Sequence, residues 1–75
     1  MTKRVTLYLK TNSGAKPYRT CYFAMREYTR LMKDFAQYQE HGKPAAGTYT
    51  EEISSNDEQI VAIAFGDIAE IRTNQ

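Results

Sequence analysis

Val5, Leu7 and Leu9 alternate with Thr6, Tyr8 and Lys10 near the start of the chain. A period of two, carried by β-branched and aromatic residues, predicts a strand with one buried face. Residues 11–17 have turn chemistry (Thr-Asn-Ser-Gly-Ala-Lys-Pro), and strand composition resumes from Tyr18 to Phe23, so the two segments form a hairpin. Between residues 24 and 41 the period changes. At about 100° per residue, Ala24, Met25, Tyr28, Leu31, Met32, Phe35, Ala36 and Tyr38 fall within one arc of roughly 160°, which predicts an amphipathic helix. Gly42 supplies a left-handed C-terminal residue and Pro44 prevents continuation. The approach through Cys21, Tyr22 and Phe23 offers no Ser, Asp or Asn cap, which leaves the helix start open. Gln39 falls inside the apolar arc and implies a last turn that is only half buried.

After a loop from Gly42 to Gly47, Thr48–Ile53 reads as a third strand and residues 54–57 as a turn. Gln59–Phe65 is the most apolar stretch. It sets Val61, Ile63 and Phe65 on one face and Ile60, Ala62 and Ala64 on the other. Gly66-Asp67 makes a tight turn or bulge. Whether Ile68–Arg72 forms a short fifth strand is left open by the pattern, and Thr73–Gln75 is expected to fray. The order is ββαββ or ββαβββ. It predicts a single α+β domain over residues 1–75, a small antiparallel sheet with one amphipathic helix packed on one face. The other sheet face is left for water or a partner.

Composition supports a folded domain: 41% of the 75 residues are hydrophobic and 25% charged. A chain this short buries only about 60% of the surface that its unfolded form exposes, so association is a common route to a larger core. Cys21 is the one cysteine, which excludes an intramolecular disulfide. The N-terminus has no signal-peptide pattern, and no apolar run approaches the roughly 20 residues of a membrane helix. The expectation is a cytoplasmic protein with no membrane partner.

The net charge of +1 conceals a division. Residues 1–37 carry eight basic and two acidic residues; residues 38–75 carry two basic and seven acidic ones. Such a dipole steers partners or docks copies of the chain. Two surfaces are candidates for contact. On the helix, Arg26, Arg30 and Lys33, with Gln37 and His41, form a stripe opposite the apolar arc. Its bland reading is a solvated face. However, Arg26–Arg30 and Arg30–Lys33 are like-charge neighbours costing about 0.2–0.5 kcal/mol each, the sign expected if an anionic surface is held there. On the sheet, Tyr8, Lys10, Tyr18, Thr20 and Tyr22 share the face turned away from the core. Tyrosines interleaved with basic residues suit base stacking with phosphate contact, or a protein interface. The small apolar side chains Ile60, Ala62 and Ala64 beside them favour protein.

Catalytic signals are weak. Glu51, Glu52, Asp57 and Glu58 lack the spacing of a calcium loop. Lys10–Lys16 is not a phosphate-binding Walker loop. One His and one Cys provide neither a nucleophile–base pair nor a zinc site. No signature of an RNA-recognition motif, Sm-type, cold-shock or zinc-ribbon domain occurs. The expectation is a non-catalytic protein-interaction module without cofactor or metal, self-associating as a homodimer, in the manner of a small regulator or inhibitor of a larger protein. The alternative is a nucleic-acid-binding protein that uses the basic, tyrosine-rich N-terminal half. In the first reading the sheet face makes the tight contact, and the helix stripe steers an acidic partner.

Overall fold

The computed structural model describes residues 1–74. Strands β1 (Thr2–Thr11) and β2 (Gly14–Ala24) lead into helix α1 (Met25–His41). Strands β3 (Ala46–Ser54) and β4 (Asp57–Ala64), a 3₁₀ turn (Phe65–Asp67) and strand β5 (Ile68–Asn74) follow. The order is thus ββαβββ, in one antiparallel sheet arranged β4-β3-β2-β1-β5. The fifth strand forms, and it runs through Thr73 rather than fraying there; Gln75 lies outside the described residues. Thr73 is held at the helix, where its hydroxyl shares a 2.9 Å hydrogen bond with Tyr28.

The predicted turn at residues 11–17 shrinks to Asn12-Ser13, because the strands continue on both sides of it. Gly14, at φ 129°, takes the backbone conformation that closes so short a connection. Pro17 sits within β2, where sequence alone places it in the turn. It is tolerated at a bulge: Leu7 pairs with Arg19 and Tyr8 with Pro17, so Tyr18 is the extra residue. Gly42 ends the helix in the left-handed conformation, its N–H donating to Tyr38 at 2.7 Å, and Ala24 provides no side-chain cap at the start.

The sheet is curled. Laid flat, four strand spacings of roughly 4.8 Å would separate β4 from β5 by about 19 Å. Residues Ala64 and Ile68 are joined by the three-residue turn alone, a chain that reaches at most about 14 Å. Leu7 and Leu9 of β1 also line one cavity with Val61, Ile63 and Ala64 of β4, three positions away in the sheet. Inside the curl lie Val5, Leu7, Cys21, Phe23, Tyr49, Val61, Ile63, Phe65 and Ile68, closed over by Leu31 and Phe35 of the helix. The helix buries less of its arc than the 160° sector suggests, since Met25 and Ala36 are exposed and Tyr28, Met32 and Tyr38 only half buried. Gln39 is exposed as well.

Tyr49 organises the middle of this core. Its ring meets Phe23 edge-on at 6.4 Å and Phe65 at 6.4 Å, and the Arg30 guanidinium covers it at 4.4 Å. Its hydroxyl donates to Asp34 Oδ2 at 2.7 Å. Burial, reinforced by that carboxylate, raises the phenol's pKa well above its ordinary value. The ring lies over Gly47, two residues back on the same face of the strand. This close approach accounts for a glycine within β3, where the sequence assigns it to a loop.

One pair of helix side chains joins the backbone of the sheet. The chain leaves β2 at Ala24 and is helical from Met25, so β2 pairs with β3 only near Phe23 and Glu51. Beyond that point β3 has lost its neighbour. Glu27 and Arg30, one turn into the helix, take its place. Glu27 Oε1 accepts the Thr50 N–H at 2.8 Å, Arg30 Nη2 donates to the Thr48 carbonyl at 2.8 Å, and the two side chains pair at 2.8 Å. The Arg30 hydrogen bond, and then the Thr50 N–H, hold the Glu27 carboxyl below its usual range.

Two predictions follow from this packing. A Cβ built on Gly47 would come within 2.9 Å of the Tyr49 ring. Gly47→Ala should therefore cost about 1–3 kcal/mol by overpacking, whereas Tyr49→Phe should cost about 1 kcal/mol for the lost hydrogen bond. Urea unfolding of both variants checks the order.

Glu27 has a depressed folded-state pKa, so its contribution is complete above the unfolded value near 4.5 and fades as pH falls below it. Glu27→Gln should lose about 1 kcal/mol at pH 7, the half-exposed Arg30 limiting the effect, and the gap from wild type should narrow at pH 3. Parallel melts at the two pH values measure it.

Candidate functional site

The curl leaves a seam. β4 is an outer strand of the sheet, and among the described residues no strand pairs with its free edge. A groove of about 350 Å³ runs beside it. Its floor is Leu7, Leu9, Val61, Ile63 and Ile68; Tyr18 and Arg19 stand on the β2 side, and Asp67 at the end. From Gln59 to Gly66 the edge carries no charged residue. The alternation of β4 turns Ile60, Ala62 and Ala64 outward, with Ile60 68% exposed, while Val61 and Ile63 are buried. The opposite edge, β5, is different: Arg72 pairs with Glu70 at 2.8 Å and both side chains are solvated. Charges of this kind blunt an edge against pairing, and β4 lacks them along its apolar half.

A polar cluster adjoins the groove. Glu51, 6% exposed, points to the inner face and accepts from Arg19 and, at 2.7 Å, from Gln59. In the sequence it belongs to an acidic group at the second hairpin; in the fold it is separated from Glu52 and turned inward. Cys21 is buried beside it. Burial, with the Glu51 carboxylate adding, pushes the thiol up to about 11 against the opposing influence of Arg19.

The sequence-derived candidates are distributed over the molecule. Tyr8, Thr20 and Tyr22 lie on the outer face of the sheet, with Arg4 opposite Tyr22 and Thr6 opposite Thr20. Thr6, buried at 9% exposure, shares a 3.2 Å hydrogen bond with Thr20. The Arg72 guanidinium lies 4.6 Å over the Tyr8 ring. Lys10 is exposed at the hairpin end, and Tyr18, through its bulge, reaches the groove. Tyr22 borders a second depression with Glu52 and Ile53. On the helix, Arg26 and Lys33 are exposed, whereas Arg30 is engaged with Glu27, Thr48 and the Tyr49 ring. The groove itself joins residues distant in the sequence. The exposed Ile60–Ala62–Ala64 face signals it, but its edge position does not follow from the sequence.

Cys21 should behave as an inert thiol in the folded protein. With a pKa near 11 its thiolate population at pH 8 is about 100-fold below that of a free cysteine. Ellman's reagent should therefore label the native protein at least that much more slowly than the guanidinium-unfolded chain.

Comparison with protein-family models, curated proteins and solved structures finds no match, so the reading of this site rests on its own geometry.

Proposed function

We propose that the protein is a non-catalytic interaction module whose contact surface is the free edge of β4 with the groove beside it. The observation that carries this reading is the uncharged β4 edge, Gln59–Ala64, open along a trough of about 350 Å³ with an apolar floor and with Arg19 and Asp67 in its walls. A strand edge offers unpaired N–H and C=O groups, and the pockets beside it select side chains; together they accept an extended segment as an added strand. The floor contributes apolar contact, and Arg19 places a half-exposed guanidinium at the rim.

The nucleic-acid alternative has weaker support. The outer face does carry Tyr8, Tyr22, Arg4 and Lys10, but Arg72 is bound to Glu70 there, and Arg30 is occupied within the fold. A cytoplasmic location fits a chain whose lone cysteine is kept as a buried thiol. No helix is long and apolar enough to cross a membrane among the described residues.

A peptide copying residues 57–64, extended by lysines for solubility, tests the reading by nuclear magnetic resonance titration of the dilute protein. Amide shifts should concentrate at β4, Leu7, Leu9 and Tyr18, and should disappear in Ala62→Lys. Shifts absent at peptide saturation, or confined to Tyr8 and Tyr22, would overturn it.

A further inference from the structure

We infer that the outer face of the sheet is a second contact surface, independent of the β4 edge. Its occupant is the same face of a second copy, turned over by a two-fold axis that runs between β2 and β3.

One row of side chains across that face carries the inference. Strand pairing sets Arg4 opposite Tyr22, and Glu52 opposite Glu58. The pairing of Phe23 with Glu51 brings Tyr22 and Glu52 side by side, and both border one depression. Phe23 and Glu51 are buried on the inner face, so their neighbours Tyr22 and Glu52 turn outward. From β1 to β4 the row therefore reads Arg4, Tyr22, Glu52, Glu58. It has a cation at one end, two carboxylates at the other and an aromatic ring between. Among the described residues, none of these three charged groups has an ion-pair partner within the chain.

Glu52 and Glu58 lie directly opposite each other, and like charges so placed are destabilising. A cation from another chain would relieve them. A partner of one sign does not fit the whole row. A basic surface would meet Arg4, and an anionic one, nucleic acid included, would meet two carboxylates. The fitting surface carries both signs at the same spacing in reverse order, which is what a second copy presents. Rotation about an axis between β2 and β3 sets Arg4 of each copy over Glu58 of the other, and Tyr22 over Glu52. Each contact is made twice, as a two-fold interface requires. Such opposition of charge selects the partner as well as attracting it.

Shape agrees with charge. The outer face is the convex side of the curl, so a facing copy touches it along this row first. The depression of about 260 Å³ beside Tyr22 lies on the same row, with Glu52 and Ile53 on its β3 side. Ile53 is the extra residue of a bulge in β3 and stands exposed. The rotation lays the exposed Tyr22 ring of each copy in the depression of the other, against Ile53, with its hydroxyl placed to donate to Glu52. Tyr and Arg are residue types enriched at protein interfaces.

Light scattering at low salt, from micromolar to sub-millimolar concentration, should show wild type reaching twice the 8.6 kDa chain mass. Arg4→Glu and Glu58→Arg each turn two attractions into repulsions, and each should raise the concentration needed for the dimer about tenfold or more. Combined in one chain they restore opposite signs across the axis, so the double variant should dimerise near the wild-type midpoint. Glu58→Arg also removes the like-charge pair with Glu52. Its chain should melt no lower than wild type, which separates loss of the dimer from loss of the fold. A wild-type monomer throughout that range, a dimer indifferent to both single reversals, or a folded double variant that stays monomeric would overturn the proposal.

Discussion

The Glu27–Arg30 pair is the constraint on which the rest of the architecture depends. β2 becomes helix with no connecting residue, so half of β3 faces the helix instead of a strand. A backbone N–H drawn out of water without a partner costs free energy comparable to a lost hydrogen bond, and the part-buried Thr50 N–H is the group placed at that risk. The two side chains supply what a strand would have supplied: an acceptor for Thr50 and a donor for Thr48. Because they sit one turn into the helix, they also fix its rotation. Leu31 and Phe35 are thereby presented to the core, and Asp34 to the Tyr49 hydroxyl.

From that anchor the remainder is a matter of curvature. The helix fills one side of the sheet, the sheet bends around it, and the 3₁₀ turn carries Phe65 into the centre against Phe35, Tyr38 and Tyr49. The bend brings β4 toward the β1–β2 hairpin without joining them by a ladder. The groove and the free edge of β4 are therefore products of the same geometry that builds the core.

Much of this was legible in the chain. The alternation at Val5, Leu7 and Leu9, the helix itself, the stop at Gly42 and the two faces of Gln59–Phe65 appear as expected, because each is set by neighbours within a few residues; the width of the buried arc does not, because it depends on how much of the helix the sheet covers. What was not legible depends on distant contacts. Gly47 reads as a loop residue until the Tyr49 ring is seen to lie across it. Pro17 reads as a turn until the bulge is known. Arg30 reads as one member of a basic stripe, because nothing local shows that Thr48 lies within its reach. Strand order was also inaccessible: Ile60, Ala62 and Ala64 are recognisable as an outward face, but only the sheet arrangement makes their strand an edge.

The pairing of β1 with β5 sets Arg4 against Asn74, at nearly opposite ends of the chain. Hairpins β1–β2 and β3–β4 close over short loops and can form early. The ladder that completes the sheet must instead close a loop of almost the whole chain before any of its contacts is repaid. Pairings of such long sequence separation are the kind that accompany slow folding. Leu7 pairs with Ile71 and Leu9 with Ile68 in this ladder, so the closure that spans nearly the whole chain is also the one that covers the outer edge of β1.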